Sequence, residues 1–193
     1  MNKNKILQEL IASSDYLSEF KLKTQGLIRT TSDGFESIKL ETYPRSWDIE
    51  TDKPALRIYP IYGKRFDILH KWFEPFSFKT MKDQRNNYTI GFDGKMLNAD
   101  NYFYFPQDGS RYDERFSLMK EEVEKNAKAV FTRYATVEDF YHHNVQPLLD
   151  NEISMLPNVG VDWIFLYLKS SRLVAPHDYP IIKQNYEATG NDE

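Results

Sequence analysis

The chain of 193 residues has no cysteine. That absence excludes a disulfide framework, a thiolate metal site, an iron–sulfur cluster and a cysteine nucleophile. An oxidising compartment would find nothing to act on, so a cytoplasmic address is favoured. Long apolar runs are missing as well. No stretch approaches the ~18 consecutive apolar residues of a membrane span, so no membrane association is expected. The opening Met1 to Glu9 turns polar before the apolar region of a secretory leader develops. Proline and glycine are sparse, at 9 and 8 residues, and there is no repeat or low-complexity tract. No serine sits in a nucleophile elbow, and Gly91-Phe92-Asp93-Gly94 lacks the Lys-Ser/Thr that closes a phosphate loop. Asp48, Glu50 and Asp52 alternate like ligands of a hard cation, but no glycine-centred calcium loop with a terminal Glu frames them.

An excess of positive charge is absent too. The net charge is −4 and the isoelectric point near 5.6, which argues against a dedicated nucleic-acid binder, whose footprint is a basic domain. The charge is uneven. Residues 1–96 hold 16 Lys and Arg against 13 Asp and Glu (+3), whereas residues 97–193 hold 9 against 16 (−7).

Aromatic residues are plentiful: 13 Tyr, 13 Phe and 3 Trp. Each buries on the order of 150–250 Å², and Tyr and Trp keep a polar end, so one set of residues can build both a core and a binding surface. With 40% hydrophobic and 28% charged residues, the chain has enough apolar surface to fold. At this length it is expected to bury roughly 70% of its unfolded surface, and one domain over 1–193 is expected, with a sub-boundary near 107–112 as the alternative.

Ile6, Leu7, Leu10, Ile11 and Leu17 recur at near-helical spacing and predict an opening helix that ends near Ser13-Ser14-Asp15. Phe20 to Lys23, Leu27 to Arg29 and Glu36 to Thr42 alternate with period two around the turn signal Ser32-Asp33-Gly34. A polar loop is expected through Pro44, Trp47, Asp48 and Pro54. It leads to a strand at Ala55 to Tyr59 that Pro60 should end or confine to an edge, with Gly63-Lys64-Arg65 closing it. Phe66, Leu69, His70 and Phe73 predict a short helix stopped by Pro75, and Asn87 to Phe92 and Tyr102 to Phe105 predict two more strands. From about residue 110 the period changes. Phe116, Met119, Val123, Ala127 and Val130 mark a long helix, Thr136 to Asp139 a capping box, Pro147 a break, Val161 to Leu168 another helix and Asp178 with Pro180 the start of a last one. The expected class is therefore α+β: an antiparallel sheet of about five or six strands, mostly within residues 20–105, covered by helices, with a helical C-terminal half.

Two clusters carry candidate chemistry. Asp139, His142 and His143 stand at i, i+3 and i+4 of a helix, where two imidazoles and a carboxylate share a face suited to Zn²⁺ or non-haem iron. The competing reading pairs Glu138 with His142 and Asp139 with His143 on a solvated face. Between 64 and 85, Lys64, Arg65, Lys71, Lys79, Lys82 and Arg85 interleave with Trp72, Phe73, Phe76 and Phe78, a composition able to bind anions or single-stranded nucleic acid. Trp47, Trp72, Phe76, Lys79 and Arg85 are also the residue types that dominate protein-binding sites. The leading expectation is a non-catalytic, protein-binding domain of inhibitor or immunity type, working through aromatic residues and an acidic face, with no cofactor. A metal-dependent enzyme on Asp139, His142 and His143 and anion or nucleic-acid binding at 64–85 are the alternatives.

Overall fold

The computed structural model describes residues 3–24, 26–72, 74–77, 80–93, 102–150 and 161–188, and it is α+β: an antiparallel sheet with helices, the helices concentrated in the C-terminal half. The chain divides into two compact units, residues 1–65 with 90–132, and residues 66–89 with 133–193.

In the first unit, helix α1 (Lys3–Ser13) buries Ile6, Leu7 and Leu10. Ser14 interrupts it. Its backbone is extended and its hydroxyl accepts from the Leu17 amide at 3.1 Å, capping the single turn α2 (Asp15–Ser18). Six strands follow: β1 (Lys21–Lys23), β2 (Gly26–Thr31), β3 (Gly34–Asp48), β4 (Lys53–Phe66), β5 (Ile90–Asp93) and β6 (Phe103–Pro106). They order as β1-β2-β3-β4-β5, with β6 also on β4. The β2 and β3 strands pair from Leu27↔Ile38 to Thr31↔Gly34 around Ser32-Asp33, the turn expected from the sequence. At Gly26, φ is +138°, and a Cβ there would meet the Ile38 carbonyl oxygen at 2.4 Å. The strands therefore cross at a point only glycine can occupy.

Two expectations fail here, both at proline. Pro44 and Trp47 belong to β3 rather than to a loop, and the connection to β4 is only residues 49–52. Asp48 makes so short a link workable, because its carboxylate accepts from the Glu50 amide at 3.1 Å and from the Thr51 hydroxyl at 2.8 Å. Pro60 does not end its strand either. The β4 strand pairs with β6 from Ala55 to Ile58 and with β5 from Ile61 to Lys64, so Pro60 falls at the changeover between partners. Lys64 and Arg65 consequently continue the strand, and both are buried.

Helix α5 (Tyr112–Arg133) buries Met119, Val123, Ala127 and Val130 as their spacing predicts. Phe131 meets Phe20 at 6.0 Å and Tyr112 meets Phe105 at 5.6 Å, which seats the helix on the same core as Leu27, Ile38 and Leu40. Among the described residues no helix is long and apolar enough to cross a membrane.

The second unit is helical: α3 (Asp67–His70), a 3₁₀ turn (Glu74–Phe76), α4 (Met81–Asn86), α6 (Val137–Phe140), a π turn (Tyr141–Val145), a second 3₁₀ turn (Gln146–Asp150), α7 (Val161–Val174) and α8 (Tyr179–Ala188). Its core runs through Phe66, Phe140 and Tyr167, with ring centroids 6.4 and 5.7 Å apart. The capping box at Thr136 and Asp139 forms as expected. The break at Pro147 takes a specific form. Proline has no amide to give the His143 carbonyl, and the preceding turn widens, the Gln146 amide reaching back to the Tyr141 carbonyl five residues away. The Leu148 and Leu149 carbonyls then accept from the Asn185 side chain of α8 at 2.8 and 3.3 Å.

Candidate binding surface

Pairing of β4 with β6 sets Arg57 opposite Tyr104 and Ile58 opposite Phe103. Period-two alternation then places Arg57, Tyr59, Tyr102 and Tyr104 on one face, opposite the fully buried Ile58 and Phe105. The Arg57 guanidinium lies against two rings, 4.4 Å from the centroid of Tyr43 on β3 and 4.8 Å from that of Tyr102, which directly precedes β6. Tyr59 stacks on the Tyr102 ring at 5.1 Å with planes 23° apart. Tyr43 is 40% exposed and Trp47, four residues along the same alternation of β3, is 53% exposed. The indole N–H of Trp47 donates to Asp52 at 3.1 Å, which fixes the ring. The Tyr43 hydroxyl donates to Glu41 at 3.1 Å, and that carboxylate holds the phenol above its ordinary pKa.

Arg57 differs from the other arginines of this unit whose partners are described. Arg29, Arg111 and Arg115 each meet a carboxylate. Among the described residues none pairs with Arg57, and its buried Nε has no hydrogen-bond partner. Two tyrosine faces attract its charge but satisfy none of its in-plane donors.

The core side of the sheet carries a second charged row, one residue from each of three strands. Glu36 on β3 accepts from Arg29 Nε on β2 at 2.7 Å, and Lys64 Nζ on β4 lies 3.4 Å from Glu36 and 3.4 Å from Asp33. Lys64 and Glu36 side chains are 2% and 7% exposed. Arg29 also meets Glu19 and lies over the Tyr16 and Phe20 rings. Burial opposes the charge on Arg29, but its bonds to Glu36 and Glu19 outweigh that and raise its pKa. Burial likewise raises the Tyr16 phenol. This row is internally neutralised, the arrangement a buried set of charges needs in order to persist.

The sequence candidates are dispersed. Trp47 stands on the outer face just described. Trp72 belongs to the second unit, its ring edge-on to Phe165 at 5.9 Å. Arg85 is exposed in the last turn of α4. Lys79, Phe73 and Phe78, and the side chains of Phe76 and Trp163, lie outside the described residues. Lys64 and Arg65, counted from sequence with the cations of a 64–85 patch, are instead buried strand residues.

Asp139, His142 and His143 turn to different tasks. The Asp139 carboxylate accepts from the Thr136 amide at 2.9 Å and its hydroxyl at 3.0 Å. His142 Nδ1 lies 2.7 Å from the Gln146 side-chain oxygen. The His143 ring stands edge-on to Tyr134 at 5.5 Å, and burial together with the neighbouring Arg133 charge lowers its pKa. The wide π turn changes the angle per residue, so the i, i+3, i+4 spacing no longer defines one face. Among the described residues no three His, Asp or Glu groups come together as a metal would need.

Sequence reading passed over Arg57, Tyr59 and Tyr102. Their only local signal is the alternation itself, which a core strand shares. Comparison with family models, with curated proteins and with solved structures finds no match for this chain.

Proposed function

We propose that this chain is a non-catalytic, cytoplasmic protein-binding domain of the inhibitor or immunity type, recognising its partner through the outer face of the sheet. The observation that supports this reading is the Tyr43, Arg57, Tyr59 and Tyr102 array with the exposed Trp47 beside it. Tyr, Trp and Arg are the types that concentrate binding energy at protein interfaces, because they combine large area with few rotatable bonds and a polar tip. The array is held before any partner arrives, by ring stacking, by the Glu41 carboxylate and by the Asp52 carboxylate, which lowers the ordering cost of association. The acidic second half of the chain, with its −7 balance, adds a field that speeds encounter with a basic region of the partner more than it strengthens the complex.

The test is capture of a stoichiometric partner at low salt from extracts of the source cells, using the full chain and a Tyr43→Ala/Trp47→Ala variant with an unchanged circular dichroism spectrum. Wild type is expected to retain one partner at near 1:1 and the variant to lose it. Recovery of no stoichiometric partner, or equal recovery by both chains, overturns the reading.

A further inference from the structure

We infer that Arg57 is the receptor for a carboxylate, and that the partner lays an acidic segment on the outer face of the sheet; this rests on the protein-binding reading above. Three observations lead there. First, the charge of Arg57 has no carboxylate partner among the described residues, and its Nε has no hydrogen-bond partner. Second, the rings of Tyr43 and Tyr102 both lie against the guanidinium, at 4.4 and 4.8 Å. These ring contacts leave the in-plane N–H donors unsatisfied, and the guanidinium edge is where paired donors meet a planar carboxylate. Third, the face carries a second arginine beside Arg57 although the chain as a whole is acidic. Arg45 is exposed on the same alternation of β3 as Tyr43 and Trp47, and the one acidic side chain on that alternation, Glu41, is engaged with the Tyr43 hydroxyl.

The same geometry disfavours a single-stranded nucleic acid. Base stacking needs open ring faces. Here Tyr43 and Tyr102 each give a face to Arg57, Tyr59 and Tyr102 give faces to each other, and Tyr59 is only 6% exposed. Trp47 is the most exposed ring of the face, and a polyphosphate would run beside Glu41 on a chain of net charge −4. An acidic peptide needs no stacking platform. It asks for one oriented guanidinium and an apolar rim.

The experiment follows the Arg57 Nε–Hε resonance of the full chain by NMR while an octaglutamate peptide, and separately an eight-residue oligothymidylate, is added at low salt. Octaglutamate is expected to shift that resonance saturably. Arg57→Gln should weaken binding roughly tenfold, the loss typical of a charge-assisted hydrogen bond, and Arg57→Lys should fall between, because it keeps the charge and loses the planar fork. An Arg57 resonance unmoved by octaglutamate, equal binding by Arg57→Gln, or tighter binding of oligothymidylate through Arg57 overturns the inference. Partner capture separates it from the broader reading. If Arg57→Gln keeps the stoichiometric partner that Tyr43→Ala/Trp47→Ala loses, the carboxylate receptor falls and the binding domain stands. If no chain captures a partner while octaglutamate titrates Arg57, the reverse holds.

Discussion

Glu36 faces two cations at once inside the sheet, Arg29 at 2.7 Å and Lys64 at 3.4 Å, and its side chain is 7% exposed. Replacing it by Gln keeps the shape but removes the one buried carboxylate that both cations share, leaving Arg29 with Glu19 and Lys64 with Asp33 nearer the surface. Loss of one member of a buried ion set typically costs about 3–5 kcal/mol, and Glu36→Gln is expected to fall in that range by urea denaturation. A loss under about 1 kcal/mol would show that solvent screens the row as it does an exposed pair. His143 makes a different demand. Burial and Arg133 depress its pKa, so the folded state binds the proton less readily than the unfolded chain does. Its contribution is present above the unfolded value of 6.5 and is lost as pH falls through the lower folded value. The depressed carboxylates of Glu50, Glu114 and Glu124 act in a separate, more acidic window, below about pH 4.5. Melting temperatures between pH 7.5 and 5.5 should therefore fall less for His143→Gln than for wild type. Parallel profiles would remove His143 as a source of acid sensitivity.

Elements whose signal lies within a few neighbouring residues were legible: the stripe of α5, the Thr136 capping box and the Ser32-Asp33 turn all form where the sequence places them. Proline in a strand was not legible, because its effect depends on whether the missing amide faces a partner strand. Pro60 sits where β4 passes from β6 to β5, and no local pattern announces that change. The tyrosine and arginine array of the outer face was hidden for a related reason. Tyr43, Arg57 and Tyr102 lie on three separate segments and meet only once β3, β4 and β6 are aligned. Gly26 shows how tightly part of that alignment is held. With φ at +138° and the Ile38 oxygen 2.4 Å from where a Cβ would stand, alanine must strain the backbone and push β2 from β3. The expected cost is about 2 kcal/mol or more in urea denaturation. An unchanged midpoint would mean that the strands can slide apart at this crossing.

At the scale of the molecule, the chain changes unit three times, after residues 65, 89 and 132. The first excursion, residues 66–89, leaves from the end of β4 and returns at β5, and those ends are paired neighbours, Lys64 opposite Ile90. The Thr89 hydroxyl extends that closure by accepting from the Phe66 amide at 2.8 Å, and it also lies 3.0 Å from His70 Nε2. Forming the β4 and β5 pair therefore brings the ends of this segment together and removes the loop-closure entropy that ordering it would otherwise have to overcome. The second excursion begins at Arg133, the last residue of α5. Closure of the first excursion implies that losing the sheet raises the entropic cost of ordering residues 66–89, and unfolding in one transition is expected over the whole chain. Tryptophan placement gives the means to check it, since Trp47 reports the first unit and Trp72 the second. Chains retaining only one of these, with the other tryptophans changed to phenylalanine, should unfold in urea with stabilities agreeing within about 0.5 kcal/mol once each is referred to its own calorimetric enthalpy. Two separated transitions, with Trp72 released while Trp47 keeps its native signal, would establish that the units fold independently and that the sheet can present its outer face without the helices.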